Sequence, residues 1–375
     1  MTLPLRVLMT TDAVGGVWVY ATELACSLCR AGNEVMLAVI GPRPRPDQLR
    51  PLRDVPGLQL KMTDLLLEWM DPEGTDVTRA GKMLRNVAEE FQPDVVHLNS
   101  FREGSLGWPA PVLIVAHSCV QTWWRACRLG PLDGAQWHTY CDRVATGLSA
   151  ADVWAAPSEA FRDLIAATYR PGAQGRVIRN GLTVPARAMA KQPYILGAGR
   201  LWDEAKNLSA IAAIAFELPW PVHVAGETRG PDANAVYGQI KSPGALSRVA
   251  LLDEMRDASI FVSPAIYEPF GLAVLEAAAS GCALVLSDLP SFRELWDDAA
   301  LFVDPHDRSA MRAALQSVCR DKDLRARLQS KARTRARRYS RRTMTDAYLG
   351  LYRQMTATPT QGSIDHAGLP LELVA

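Results

Sequence analysis

The stretch AIYEPFGLAVLEAAASG, residues 265–281, contains two carboxylates on either side of a break between loop and helix. Its second half is apolar on every side except at Glu276, which predicts a buried helix. Pro269 disfavours a helical conformation at Glu268 and fits a chain that turns into a first helical turn. Gly271 removes the side chain where that turn begins. The stretch therefore predicts a helix N-terminus with one carboxylate in the loop before it and another buried within it.

Both features of this stretch indicate a ligand. A buried carboxylate such as Glu276 is costly unless it is paired or hydrogen-bonded. A helix N-terminus beside it is a ready anion site, because its first N–H groups have no partner inside the helix. The combination favours a ligand that carries both hydroxyl and phosphate groups.

The composition is that of a soluble globular protein with two domains. The chain has 375 residues, of which 48% are hydrophobic and 22% are charged. Its formal net charge of +1 gives no global argument for nucleic acid as a partner. No apolar run approaches the roughly 18 residues of a membrane-spanning helix. The sequence predicts a cytoplasmic protein.

The cysteines and histidines do not predict a disulfide framework or a metal site. Seven cysteines at irregular spacing fit a reducing compartment. Cys26 and Cys29 have CxxC spacing, but they lie inside an apolar helical pattern with no second pair. The six histidines show no ligand spacing. We therefore expect neither a bound metal nor a cofactor.

The first part of the chain has the pattern of a doubly wound sheet. An apolar run at Leu5–Thr10 is followed by Gly15 and Gly16, a helical pattern at Val17–Arg30 and a second apolar run at Val35–Ile40. The glycines lack the spacing of a dinucleotide fingerprint. Alone, they fit a tight turn or the close approach of a ligand to the backbone equally well.

Polar residues follow two later strands of the same predicted sheet. Asn99 and His117 come directly after buried-strand patterns, at the carboxyl ends where open α/β sheets bind ligands. Residues 118–125 read as a polar and aromatic loop that contains Trp123 and Trp124. These rings can stack on a sugar or lipid acceptor, or they can pack in the core.

A second sheet begins after a segment with two prolines. The strand pattern at Tyr194–Gly199 leads into Arg200 and Lys206, which flank the start of a helix. This arrangement suits a diphosphate, since arginine offers a planar fork for two oxygens and lysine offers a compact charge. The alternative is a pair of surface cations.

The pattern of elements predicts an α/β protein with two doubly wound halves that face a cleft. Residues 1–183 form a Rossmann-like N-terminal domain and residues 184–193 a linker. Residues 194–345 form the second Rossmann-like domain. Residues 346–358 form a C-terminal helix that packs back on the first domain, and residues 359–375 form a loose tail.

Two stretches are strongly basic. Gly41–Asp54 contains four arginines among prolines, and Arg320–Arg342 carries eleven Lys and Arg against two Asp. The prolines and arginines of Gly41–Asp54 favour a solvated loop. The basic helical pattern of Arg320–Arg342 favours a solvated surface helix. Peripheral contact with the inner face of a membrane is the alternative for both.

Several motifs together resemble the family 4 retaining glycosyltransferases, which have the GT-B fold. The resemblance covers roughly residues 5 to 355. It is carried by the E-x7-E spacing of the opening stretch and by five further motifs: Gly15-Gly16, the strand end at His97, Ala116-His117, Asn180-Gly-Leu, and Gly199-Arg-Leu with Lys206-Asn.

The resemblance implies a donor site in the second domain. Arg200 and Lys206 would hold the donor diphosphate and neutralise the charge that grows on it during bond cleavage. Glu276 would bind the ribose hydroxyls of the nucleotide. Gly271 and Leu272 would offer backbone N–H groups to the phosphate.

The resemblance also implies roles around the reacting sugar. Glu268 would face the donor sugar, His117 would lie across the cleft near the reacting sugar, and Gly16 would lie near the diphosphate. His117, Glu268, Arg200 and Lys206 form the implied catalytic set. Asn99, His117, Trp123 and Trp124 are candidates for acceptor binding. No metal is expected, because the cations and the helix N-terminus supply the positive charge that a metal ion would otherwise supply to the diphosphate.

The predicted function is transfer of a sugar, a hexose by the resemblance, from a nucleotide-sugar to a saccharide, lipid-linked or small-molecule acceptor. Polysaccharide or glycolipid biosynthesis is the expected context. One alternative is a phosphorylase-like GT-B enzyme that uses inorganic phosphate. Another is a non-catalytic sugar- or lipid-binding protein.

Overall fold

The structure is a computed structural model that describes residues 3–128, 130–183, 190–227 and 240–357. It contains two parallel sheets, each covered by helices, and the predicted doubly wound α/β architecture is confirmed. The predicted tail at 359–375 and most of the predicted linker lie outside the described residues.

The first sheet has seven parallel strands in the order β3-β2-β1-β4-β5-β6-β7. Its strands are β1 (Arg6–Asp12), β2 (Glu34–Ile40), β3 (Leu58–Met62), β4 (Val95–Leu98), β5 (Val112–Val115), β6 (Val153–Ala156) and β7 (Arg176–Val177). The helices of this half are α1 (Gly16–Arg30), α2 (Pro46–Leu49), α3 (Val77–Phe91), α4 (Val120–Cys127), α5 (Ala135–Ala150) and α6 (Glu159–Tyr169).

The second sheet has six strands in the order β10-β9-β8-β11-β12-β13. Its strands are β8 (Gln192–Ala198), β9 (Val222–Ala225), β10 (Lys241–Gly244), β11 (Ala258–Ser263), β12 (Ala283–Ser287) and β13 (Ala300–Val303). Its helices are α7 (Leu208–Ile214), α8 (Arg248–Asp257), α9 (Leu272–Ala279), α10 (Pro290–Trp296), α11 (Arg308–Arg320) and α12 (Lys322–Ala336), and α13 (Arg341–Ala357) closes the described chain.

The central strands are apolar because helices cover both faces of each sheet. Every residue of Val95–Leu98 is buried, and so is every residue of Ala283–Ser287. Short polar turns at the carboxyl ends of these strands are then the places where functional side chains can stand. Both sheets direct these ends toward one cleft.

The C-terminal helix α13 returns to the first domain. Tyr348 and Tyr352 are fully buried and join the core that contains Tyr20 and Leu24 of α1. The prediction placed this helix at 346–358, but it begins at Arg341 and so includes the end of the predicted second domain. Ser340 caps this start, because its Oγ accepts a hydrogen bond of 3.0 Å from the Thr343 N–H.

Other boundaries also differ from the sequence prediction. Strand β8 begins at Gln192, inside the segment predicted as linker. Residues 118–125 are not a loop, because most of them belong to helix α4. The edge strand Leu58–Met62 was not predicted, since it is largely exposed and lacks a buried apolar pattern. Lys241–Gly244 is a further short strand that was not predicted.

Candidate functional site

A cleft of about 1190 Å³ lies between the two domains and receives the carboxyl ends of both sheets. It is lined by Gly15, Gly16, His117, Trp123, Arg200, Lys206, Glu268, Gly271, Leu272 and Glu276, among others. The structure therefore brings together the residues predicted for the donor site. Of the predicted residues, Asn99 and Trp124 do not line this cleft.

Glu276 is buried in α9 and is paired with an arginine. Its Oε1 accepts a hydrogen bond of 3.1 Å from Arg248 Nε. Burial raises the pKa of Glu276, and the positive charge of Arg248 acts in the opposite direction. Arg248 thus supplies the partner that the buried carboxylate requires within the protein.

Arg248 also connects the two domains. Its Nη1 lies 2.7 Å from Oε1 of Glu23, which belongs to α1 of the first domain. The other oxygen of Glu23 lies 3.2 Å from Nη1 of Arg341 at the start of α13. This chain of charges spans the cleft on the side of Glu276.

Glu268 lies between a lysine and the start of α9. Its Oε2 is 2.6 Å from Lys206 Nζ, and its Oε1 accepts a hydrogen bond of 3.0 Å from the Gly271 N–H. Gly271 has a φ of 84°, a left-handed conformation that favours glycine. The Gly271 N–H, predicted to serve a phosphate, therefore serves Glu268 in this structure, while Leu272 begins the helix.

Arg200 is held at the mouth of the same site. Its Nη2 donates a hydrogen bond of 2.6 Å to Oδ2 of Asp203. A Cβ added to Gly15 would lie 2.6 Å from Arg200 Nη1, and Gly15 has a φ of 90°. Gly16 is close to the second domain too, since an added Cβ would lie 3.4 Å from Leu272 Cδ1. The glycine pair is therefore the point where the first domain meets the donor side of the cleft.

Asp12, at the end of β1, is a further acidic group near Arg200. Burial raises its pKa to about 6, against the opposing effects of the Val14 N–H and of Arg200. The Val14 N–H donates to Asp12 Oδ1 at 2.7 Å. This carboxylate fixes the turn that leads into Gly15 and was not predicted as a site residue.

Asn99 orients His117. The Asn99 amide donates to the Thr10 carbonyl oxygen at 2.7 Å, so its Oδ1 must face the other way. That oxygen lies 2.8 Å from His117 Nε2 and can only accept. His117 Nε2 therefore carries the hydrogen, and its Nδ1 remains an acceptor.

A second histidine lies behind this pair. His97 is fully buried, and its Nε2 is 3.2 Å from the same Asn99 oxygen. Its Nδ1 lies 2.5 Å from the Tyr352 hydroxyl of α13. Burial lowers the pKa of both His97 and His117 to about 3. The neighbouring His97 also contributes to the lowered pKa of His117. Both rings are neutral at physiological pH.

The two tryptophans predicted to contact an acceptor make different hydrogen bonds. Trp123 Nε1 donates to Asp203 Oδ1 of the second domain at 3.1 Å. Trp124 Nε1 donates to the Pro131 carbonyl oxygen of its own domain at 3.1 Å. Both rings belong to α4 rather than to a loop, and only Trp123 lines the cleft.

The comparisons with known proteins agree with this geometry. Residues 191–335 match the family described as Glycosyl transferases group 1, and residues 14–184 match Glycosyltransferase Family 4. The chain belongs to the group 1 (family 4) glycosyltransferases. It is therefore an enzyme, a glycosyltransferase, as the sequence predicted.

Relatives of this glycosyltransferase include enzymes with different products. Glycogen synthase of Mycobacterium tuberculosis is 25% identical over 356 residues, which cover 82% of this chain and 83% of that one. Phosphatidyl-myo-inositol mannosyltransferase of Mycolicibacterium smegmatis is 34% identical over 110 residues, which cover 28% of each chain.

Solved structures confirm the GT-B fold of this glycosyltransferase. Sucrose-phosphate synthase from Thermosynechococcus elongatus superimposes with a TM-score of 0.79 at 18% identity, covering 94% of this chain and 99% of that one. HepE of Anabaena, in complex with UDP-glucose, has a TM-score of 0.73 at 13% identity and covers 93% of this chain and 100% of that one.

Two further findings bear on the other expectations. In the described part of the chain, no cluster of three or more His, Cys, Asp or Glu residues is placed to hold a metal ion. None of the helices in the described ranges is long and apolar enough to cross a membrane.

Sequence reasoning missed the residues that partner the predicted ones. Asp203, Arg248 and Glu23 carry no motif of their own, and Glu23 and Arg248 are 225 positions apart in the chain. Only the need for a partner at Glu276 could be read from the sequence. The identity of that partner depends on the tertiary fold.

Proposed function

We propose that this glycosyltransferase moves a sugar from a nucleotide-sugar donor to an acceptor with retention of the anomeric configuration and without a metal ion. The observation that carries the proposal is the convergence of Arg200, Lys206, Glu268 and Glu276 beside the start of α9. Two cations and one carboxylate at a helix N-terminus, with a second carboxylate one turn inside the helix, fit a diphosphate linked to hydroxyl-bearing groups.

The diphosphate lies against Arg200 and Lys206 in this proposal. As the bond between sugar and diphosphate breaks, negative charge grows on the leaving phosphate, and fixed cations stabilise that charge. Lys206 is held in place by Glu268 at 2.6 Å, so it needs little reorganisation when the charge develops. The first N–H groups of α9, at Leu272 and beyond, add the positive end of the helix dipole.

The ribose hydroxyls bind to Glu276. They replace Arg248 as the partner of this carboxylate, so the buried charge stays hydrogen-bonded throughout. Glu268 accepts hydrogen bonds from hydroxyls of the donor sugar while it holds Lys206. His117 is neutral and half-buried on the opposite wall, where its Nδ1 serves as an acceptor for a sugar hydroxyl.

The donor is a nucleoside-diphosphate hexose. Named relatives include a mannosyltransferase and glycogen synthase, and structural neighbours were solved with UDP or UDP-glucose. These relatives support a hexose as the transferred sugar. The acceptor binds to the first domain, beside His117 and the cleft face of α4.

An apolar part of the acceptor has room in a second cavity. This cavity of about 510 Å³ is lined by three methionines and two leucines, and it shares Pro42 and Arg43 with the main cleft. Methionine side chains adapt to irregular apolar ligands. A lipid-linked acceptor can therefore place its chain there and its hydroxyl in the cleft.

The same face of the first domain is suited to peripheral membrane contact. Five large apolar side chains are exposed between positions 60 and 70, close in sequence to the arginines of the Gly41–Asp54 segment: Leu60, Met62, Leu66, Trp69 and Met70. We expect the protein to sediment with phosphatidylglycerol vesicles and not with phosphatidylcholine vesicles. Equal sedimentation with the two kinds of vesicle would contradict electrostatic docking.

Nucleotide release with panels of UDP-, GDP- and ADP-hexoses tests the proposed reaction. We expect one base to support turnover, slow with water and faster with an acceptor, and we expect the same rate after chelation of divalent metals. The anomeric configuration of the product, read by proton NMR coupling, should equal that of the donor.

Two outcomes would reject this assignment. The absence of both turnover and binding with every nucleotide-sugar would contradict the transfer reaction. Breakdown of a glycoside that depends on inorganic phosphate and needs no nucleotide would instead support the phosphorylase-like alternative, because Arg200 and Lys206 can hold a free phosphate.

A further inference from the structure

The segment that carries both diphosphate cations, residues 200–206, is tied to the opposite domain. Trp123 of α4 donates its indole N–H to Asp203 Oδ1 at 3.1 Å. One turn later, Arg128 lies 2.8 Å from Oε1 of Glu204. We call residues 200–206 the diphosphate segment. Its position in the cleft thus depends on the first domain as well as on its own sheet.

Asp203 accepts hydrogen bonds from both domains. Its side chain is 5% exposed, and both carboxylate oxygens are used. Oδ1 accepts from the Trp123 indole and from the Ala205 N–H, and Oδ2 accepts from Arg200 Nη2 at 2.6 Å. Burial acts to raise the pKa of Asp203, but the charges of Arg200 and Lys206 hold it below its ordinary value. The carboxylate is therefore ionised and anchored on two sides.

The anchored carboxylate fixes the direction of the Arg200 fork. Nη2 is held by Asp203, and Nη1 lies against Gly15, where an added Cβ would be 2.6 Å away. The Arg200 Nε–H is buried and has no acceptor among the described residues. The guanidinium therefore keeps a donor free while its plane is set by contacts from both domains.

We propose that Trp123 and Asp203 are positioning residues that aim Arg200 at the donor diphosphate, so that the first domain helps to build the donor site. This inference rests on the proposed function. In this role neither residue contacts the diphosphate itself. The Trp123 indole orients the Asp203 carboxylate, and the carboxylate orients Arg200.

The arrangement has a consequence for the order of events. When the domains separate, Trp123 leaves Asp203, and Arg200 loses one side of its support. Full affinity for a diphosphate then requires the closed arrangement. The nucleoside end of the donor binds through Glu276, on the side of the cleft that Glu23 and Arg248 span, and does not depend on the contact between Trp123 and Asp203.

The substitution Trp123→Phe tests the proposal, because it removes the indole N–H and keeps an aromatic ring. Calorimetry compares the affinities for UDP, GDP and ADP with those for UMP, GMP and AMP. We expect about a tenfold loss of affinity for the diphosphate that the wild type prefers, because Asp203 loses one hydrogen bond to its charged carboxylate and Arg200 loses part of its support. Affinity for the monophosphate should not change.

Trp108→Phe is the matched control. Trp108 is half-buried in the same domain, and its indole donates to the Glu103 carbonyl oxygen at 2.9 Å, within that domain. Its loss should leave both affinities unchanged. Asp203→Asn is a second variant of nearly the same size, and it should show the same loss confined to the diphosphate even if Trp123→Phe folds poorly.

The outcomes separate this inference from the proposed function. A wild type that binds a nucleoside diphosphate, with both Trp123→Phe and Asp203→Asn unchanged, overturns the positioning role alone. Equal losses for diphosphate and monophosphate in the two variants overturn it as well, since that pattern reports general damage to the cleft. A wild type that binds none of the six nucleotides overturns the proposed function.

Discussion

Replacing Arg200 with alanine is expected to lower kcat for sugar transfer by about 10²–10³-fold, by analogy with the loss of one preorganised oxyanion donor. The guanidinium is half-buried and fixed by Asp203 at 2.6 Å, so it meets the developing charge without reorganisation. Steady-state kinetics with the preferred nucleotide-sugar measures the effect. Because Asp203 loses its counter-charge, thermal unfolding checks that the variant is still folded at the assay temperature.

Arg125→Ala provides the control for loss of one positive charge. Arg125 is exposed on α4, next to the tryptophans, and it does not line the cleft. Its removal should leave kcat within about twofold, because exposed charges in water interact weakly. An unchanged kcat in Arg200→Ala would contradict the role of Arg200 in the reaction.

Lys206→Ala should weaken binding of the donor diphosphate while the fold remains intact.

Replacing Arg102 with methionine is expected to destabilise the protein by about 3–5 kcal/mol, the usual cost of removing one partner of a buried ion pair. Arg102 is 4% exposed and lies 2.8 Å from Asp71 and 2.9 Å from Glu103, which are equally buried. Without the guanidinium, both carboxylates lose their counter-charge inside the first domain. Guanidinium chloride unfolding, followed by circular dichroism, measures the change.

The surrounding groups strengthen this expectation. Glu68 accepts the backbone N–H groups of Phe101 and Arg102, and burial together with Glu103 raises its pKa to about 7. Arg342→Met is the control, because Arg342 pairs with Asp346 on the surface, where both side chains are mostly exposed. That change should cost under about 1 kcal/mol. Equal stabilities of Arg102→Met and the wild type would show that the cluster contributes nothing to folding.

Much of the fold could be predicted because its elements follow local patterns. Val95–Leu98 and Ala283–Ser287 are fully buried strands, and their continuous apolar runs indicate parallel sheets covered on both faces. The E-x7-E stretch begins its helix at Leu272, directly after the glycine that was expected to end the loop. These features need no knowledge of the partner elements.

Two elements were missed for different reasons. Leu58–Met62 pairs at the edge of the sheet and is largely exposed, so it lacks the buried apolar run that marks a strand, and its tertiary contacts decide the structure. Helix α4 was interpreted as a loop because it has only eight residues, although Val120, Trp123, Trp124 and Cys127 follow the spacing of an apolar helix face. In this second case the local pattern was present and was overlooked.

The site was predicted as a set of charges, and the structure supplies the contacts between them. The need for a partner at Glu276 followed from burial, but Arg248 is brought to it only by the packing of α8 on α9. Likewise, the sequence allowed Trp123 to stack on an acceptor or to pack in the core, and it did not predict that the indole N–H contacts Asp203. Hydrogen bonds across a cleft leave no spacing in the sequence.

A crystal structure with the nucleoside diphosphate that the wild type prefers tests the central claim most directly. The account predicts the diphosphate against Arg200, Lys206 and the start of α9 at Leu272. It also predicts the ribose hydroxyls on Glu276, with Arg248 moved away from that carboxylate. A nucleotide bound elsewhere in the chain, with the 3.1 Å contact between Arg248 and Glu276 intact, would contradict the account.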